Sequence, residues 1–147
     1  KGTISSIDSK FVGNYSLADG YQVTGSAISN NGTIGNISGE FYGNYVSTKG
    51  HSAIGGAIFN FNNAQIDTIK ADFIGNYVKT ENTTFSYGGA LANYGKINEI
   101  QGLFKDNYID SKSGETAGGA LYNWDGNTTI KNLNADFIIP SAVNMLN

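Results

Sequence analysis

Residues 34–45 read Ile34-Gly35-Asn36-Ile37-Ser38-Gly39-Glu40-Phe41-Tyr42-Gly43-Asn44-Tyr45, and almost the same order of side chains returns along the whole chain. The first half of this stretch recurs as Ile4-Ile7-Ser9-Phe11, Ile66-Ile69-Ala71-Phe73, Ile97-Ile100-Gly102-Phe104 and Ile130-Leu133-Ala135-Phe137. From the second Ile onward apolar or small residues alternate with mostly polar ones, the period of a strand with one buried face. The second half, Phe-x-x-Asn-Tyr, ends at Tyr15, Tyr45, Tyr77 and Tyr108. Gly13, Gly43, Gly75 and Asp106 precede its Asn, which is turn chemistry, so the chain is expected to turn a corner there.

A third motif follows a polar segment of roughly ten residues that is expected to be a loop. It reads Ser26-Ala27-Ile28, Gly56-Ala57-Ile58, Gly89-Ala90-Leu91 and Gly119-Ala120-Leu121, with Asn30, Asn60, Asn93 and Asn123 two places on. This is a short strand that begins after a glycine and ends at an asparagine. The Phe residues fall at 11, 41, 73, 104 and 137, a repeat of about 31 residues. Antiparallel hairpins have no reason to reproduce one order of side chains at that period, whereas stacked coils do. The expected fold is all-β: a parallel β-helix of about five coils of ~31 residues, over residues 1–147 as a single segment of a longer chain.

In such a stack equal positions form ladders at the ~4.8 Å strand spacing. Phe11, Phe41, Phe73, Phe104 and Phe137 are expected to fill one interior column. Asn14, Asn44, Asn76 and Asn107, and likewise Asn30, Asn60, Asn93 and Asn123, are expected to bond to one another between coils. The stretch 138–147 departs from the pattern at Ile138-Ile139-Pro140 and is expected to end or cap the regular coil, because Pro lacks the backbone donor.

These motifs resemble the repeats of the polymorphic outer-membrane proteins of chlamydiae and related autotransporter passengers, which combine Phe-x-x-Asn with Gly-Gly-Ala-Ile/Leu/Val. Both halves are present in Phe41-Tyr42-Gly43-Asn44 with Gly55-Gly56-Ala57-Ile58, and in Phe104-Lys105-Asp106-Asn107 with Gly118-Gly119-Ala120-Leu121. The first copy departs, with Gly25-Ser26-Ala27. The resemblance implies a right-handed β-helical passenger carried over the outer membrane by a C-terminal barrel and displayed as an adhesin. It also implies an extracellular location on a Gram-negative cell, with a host-surface protein or glycan as partner.

Composition narrows the function. The 9 basic residues are all Lys and the net charge is −3, which argues against nucleic acid. There is no Cys, hence no disulfide and no thiolate metal site. No apolar run is long enough for a spanning helix, so membrane insertion by this segment is not expected. The single His51 excludes a His-based triad or a multi-His metal site, and the Gly-Gly pairs are not followed by the Lys-Ser/Thr of a phosphate loop. No cofactor is expected.

An enzyme is not expected, although β-helices host polysaccharide-active enzymes. Arg is absent, and Asp72 and Asp136 share a ladder position with Glu40 on the outward face, which reads as solvated surface; Asp67, Asp106 and Asp110 complete the acidic candidates. Asn-x-Ser/Thr triplets at Asn14, Asn31, Asn36, Asn82 and Asn127 are expected by chance in a chain this rich in Asn.

Two groups of residues differ between copies and are the candidates for contact. Phe61, Tyr94 and Trp124 lie four places after the motif alanine, and Phe59 and Tyr122 two places after it, an aromatic column expected at a solvent-facing corner. Mutual stacking is one reading of that column; a platform for sugar rings or a lateral protein contact is the other. Segments 47–52, 79–87 and 110–116 are expected to be variable loops. The leading expectation is a stiff stalk and adhesive surface. The alternatives are a self-assembling subunit stacked end to end through copies of itself into an extracellular filament and, more remotely, a glycan-active enzyme.

Overall fold

In the computed structural model, which describes residues 2–139, the chain is a parallel β-helix with three strands or strand groups per turn. The first turn holds β1 (Thr3–Val12), β2 (Tyr15–Ala18), β3 (Val23–Thr24) and β4 (Ile28–Asn30). The second holds β5 (Thr33–Tyr42), β6 (Tyr45–Ile54) and β7 (Ile58–Asn60), and the third β8 (Gln65–Ile74), β9 (Tyr77–Tyr87) and β10 (Leu91–Asn93). The fourth holds β11 (Lys96–Lys105), β12 (Tyr108–Ser111), β13 (Glu115–Ala117) and β14 (Leu121–Asn123), and β15 (Thr129–Ile138) follows.

Sheet A is β1-β5-β8-β11-β15, sheet B runs from β2 and β3 through β6 and β9 to β12 and β13, and sheet C is β4-β7-β10-β14. The described residues thus complete four turns; of the fifth expected copy they include only the sheet A strand. All pairings are parallel and set like on like: Ile4, Ile34, Ile66, Ile97 and Ile130 align, as do the five Phe residues.

The Phe column stacks with ring centroids 4.8, 4.8, 4.6 and 4.9 Å apart, the strand spacing itself. Phe41, Phe73 and Phe104 are sealed between sheets with Ile37, Ile58, Ile66, Ile69, Leu91, Ile97 and Ile100, a continuous apolar tube. Burial falls toward the outermost rungs. Ile34 is 2% exposed but Ile4 is 48%, and Phe137 is 49% exposed, because β1 and β15 have a described neighbour on one side only.

Corners follow the sequence. Gly13, Gly43 and Gly75 take φ near +62°, in the left-handed region (63°, 61° and 62°), and Asp106 takes the same conformation at 56°. At the next corner Gly88 has φ of 64°, while Gly89 answers a different demand: a Cβ there would stand 1.9 Å from Gly119 O. Where the first copy has Ser26 in place of that second glycine, its Oγ donates to Gly56 O at 2.5 Å.

The segments expected to be polar loops are different. Residues 47–52 and 79–87 lie within β6 and β9, which pair along their lengths as Val46↔Val78, Thr48↔Thr80 and Ala53↔Ser86. In segment 110–116 only the turn between β12 and β13 is free of strand. The polar residues that suggested a loop are the inward hydroxyls of this third face. Thr48, Ser52, Thr80, Thr83 and Ser86 are buried and largely bonded to one another or to backbone, for example Thr80 Oγ1 with Ser86 Oγ at 2.9 Å and Thr48 Oγ1 donating to Gly50 O at 2.7 Å. A bulge between His51 and Ser52 accommodates one extra residue, Thr84, in β9. The expected cap over 138–147 lies, from residue 140 on, outside the described residues.

Candidate functional site

The turn from sheet C back to sheet A is built on an asparagine ladder. Asn30 Nδ2 donates to Asn60 Oδ1 at 2.8 Å, Asn60 to Asn93 at 2.7 Å and Asn93 to Asn123 at 2.8 Å. Where the turn is only two residues long, the same side chain caps it: Gly32 N and Gly95 N donate to Asn30 Oδ1 and Asn93 Oδ1. The other ladder runs Asn14, Asn44, Asn76, Asn107 at the corner between sheets A and B, the Oδ1 of Asn44, Asn76 and Asn107 each receiving both the backbone N–H and the Nδ2 of the Asn one turn earlier. Both expected ladders are present, and Asn14 and Asn123 are exposed only because they stand on outer rungs.

Beside the first ladder the five aromatic candidates come together. Phe59, Ala92 and Tyr122 point out of sheet C, opposite to the tube, and form a second apolar cluster with Ile54 and Tyr87, flanked by Phe61, Phe85 and Tyr94. Phe59 meets Phe61 edge-on at 4.3 Å and Tyr94 edge-on at 5.0 Å; Tyr94 stacks on Trp124 at 4.8 Å and Tyr122 on Tyr87 at 4.3 Å. The corner is therefore not an open platform. Phe59 is only 3% exposed, Phe61, Tyr94 and Tyr122 are half-buried, and the rings take up one another's faces; Trp124, at 39%, keeps the most surface.

Burial raises the phenol pKa values of this cluster. Tyr87 is pushed up to about 12 by burial first, then by its hydrogen bond to Glu115 and that carboxylate's charge. Tyr94 is raised further by burial, with Tyr122 and Tyr87 adding to it, and Tyr122 is raised by burial and by Glu115 and Asp125. The corner accordingly presents neutral phenols at physiological pH.

A surface feature that the motif reading passed over lies on the outside of sheet B. Tyr15, Tyr45, Tyr77 and Tyr108 form a stacked column with centroids 5.6, 4.6 and 5.0 Å apart. Its signal was the Tyr that closes all four Phe-x-x-Asn-Tyr copies. Adjacent Val46 and Val78 point inward, so the alternation of a strand sends the tyrosines out.

The acidic residues are dispersed along the outer face. Glu40 pairs with Lys10 at 3.0 Å, Asp72 Oδ1 accepts from Leu103 N at 3.0 Å, and Asp67 accepts from Asn98. Among the described residues no group of three or more His, Asp or Glu side chains could hold a metal ion, and no helix is long and apolar enough to cross a membrane.

A cleft of about 720 Å³ opens beside Trp124, lined by Asn62, Asn63, Tyr94, Gly95, Lys96, Gly126, Asn127, Thr128 and Thr129 as well. Chemically this is an aromatic wall with amide and hydroxyl groups and one ammonium. Comparison of the chain with protein-family models, with curated proteins and with solved structures finds no match.

Proposed function

We propose that this chain is a segment of a bacterial surface-displayed passenger of the autotransporter kind, serving as a stiff stalk that carries an adhesive surface. One observation carries this reading: the Phe and Asn that recur in every copy are buried in ladders, while the corner between sheets C and A carries residues that differ from copy to copy, Phe61, Tyr94 and Trp124 among them. The Phe column and both Asn ladders tie each turn to the next, so bending the stack would break many bonds together. A rod of that kind holds a binding surface away from its anchor at little entropic cost. The same two motifs are those by which the chain resembles the polymorphic outer-membrane proteins, and that resemblance supports display outside a Gram-negative cell with a host-surface protein or glycan as partner. Fluorescently labelled protein added to a panel of cultured animal cells should bind saturably and be displaced by unlabelled protein; linear, non-displaceable uptake on every cell type would remove the adhesive part of the proposal.

A further inference from the structure

The turns from sheet C to sheet A are unequal in length. Two residues join β4 to β5 and β10 to β11, but four (61–64) join β7 to β8 and five (124–128) join β14 to β15. Rungs lie only ~4.8 Å apart, so a long turn on either side of a short one leaves a recess floored by the short one. The cleft beside Trp124 is that recess: the longer turns supply Asn62 and Asn127 as walls, and Tyr94-Gly95-Lys96 runs along its floor.

We propose that this cleft binds a sugar residue bearing a carboxylate. This deepens the adhesive reading, on which it rests, by naming the class of ligand. Lys96 is the one charged side chain in the lining; Asp125 belongs to the same long turn but does not line the cleft. The ammonium selects an anion, while Asn62, Asn127 and Thr128 offer amide and hydroxyl partners of the kind that sugar hydroxyls need. Trp124, the most exposed ring of the corner and stacked on Tyr94, supplies the apolar wall against which the C–H face of a pyranose packs. Thr128 Oγ1 donates to Trp124 O across the long turn, so the wall is held before the ligand arrives.

Trp124 is the only tryptophan, so its emission reports on this cleft. The intact chain is titrated with D-glucuronic acid and, as the neutral counterpart, D-glucose, with calorimetry in parallel. Glucuronate should change the emission saturably; glucose, and glucuronate against Lys96→Gln, should bind about tenfold more weakly. Lys10→Gln, which alters a Lys paired with Glu40 on sheet A, should behave like the unaltered protein. Circular dichroism checks that both variants keep the fold. A flat response to both sugars, equal responses to them, or binding indifferent to Lys96→Gln would overturn the proposal. If the protein still adheres saturably to cells while the titration stays flat, the cleft assignment fails and the adhesive reading stands; loss of both disposes of both.

Discussion

The side-chain oxygen of Asn76 accepts two hydrogen bonds from Asn44, one from its backbone N–H at 3.0 Å and one from its Nδ2 at 2.9 Å. Asn76 Nδ2 in turn donates to Phe41 O at 2.8 Å and to Asn107 Oδ1 at 3.0 Å. One buried carboxamide thus satisfies groups on the turn before and the turn after its own. Asn76→Asp keeps the shape but loses both donors and buries a charge, so it should cost roughly 2–4 kcal/mol in urea denaturation. A change within the error of the measurement would mean that the ladder contributes alignment without net stability.

Phe73 sits between Phe41 and Phe104 in the interior column and is fully buried. Phe73→Ala removes a ring and leaves a cavity that rigid neighbouring turns cannot fill, at a cost of about 3–5 kcal/mol. The same substitution at Phe137, 49% exposed on an outer rung, should cost much less. Denaturation midpoints of the two variants decide the comparison, and equal losses would contradict the burial gradient.

Asp106 holds a left-handed conformation, φ 56°, at a corner where three other copies have Gly. Asp106→Gly relieves that strain and should stabilise the fold by about 0.5–1 kcal/mol, read as a raised urea midpoint. A lowered midpoint would show that the Asp side chain contributes more than the strain costs.

Ser52 Oγ is buried without a hydrogen-bond partner among the hydroxyls lining sheet B. Replacing it by Ala removes an unsatisfied polar atom, so Ser52→Ala should be neutral or stabilising by up to about 1 kcal/mol. A loss of more than this on thermal unfolding would indicate that an ordered water serves the hydroxyl.

The raised phenol of Tyr87 makes stability depend on alkaline pH. In the unfolded chain its phenol ionises near 10.0, whereas in the folded protein it stays protonated to about 12. Above the unfolded value the unfolded state therefore binds fewer protons than the folded one, and stability falls as pH rises. The contribution is complete below pH 10.0 and lost as pH climbs through about 12. Tyrosinate absorbance should show a late-titrating group that Tyr87→Phe removes; titration at the ordinary value would show that the corner is open to water.

The repeat at Phe11, Phe41, Phe73, Phe104 and Phe137, with the alternation that precedes each, was enough to establish a stacked parallel β-helix, its interior Phe column and both Asn ladders. A stack sets equal residues side by side, so agreement between copies is itself a record of contact. Sheet B was less legible. Its inward positions carry Thr48, Thr80, Ser52 and Ser86, buried polar side chains of which Thr80 and Ser86 bond to each other and Thr48 to backbone, and polarity alone cannot separate such a strand from a loop. Tertiary structure alone decided the fate of the aromatic corner. Spacing brought Phe61, Tyr94 and Trp124 into one column, but whether ring faces meet each other or solvent depends on Phe59, Tyr87 and Tyr122 arriving from sheets B and C. The cleft beside Trp124 likewise arises from turns of different length lying one above another, a relation between successive turns of the stack that no single copy of the repeat contains.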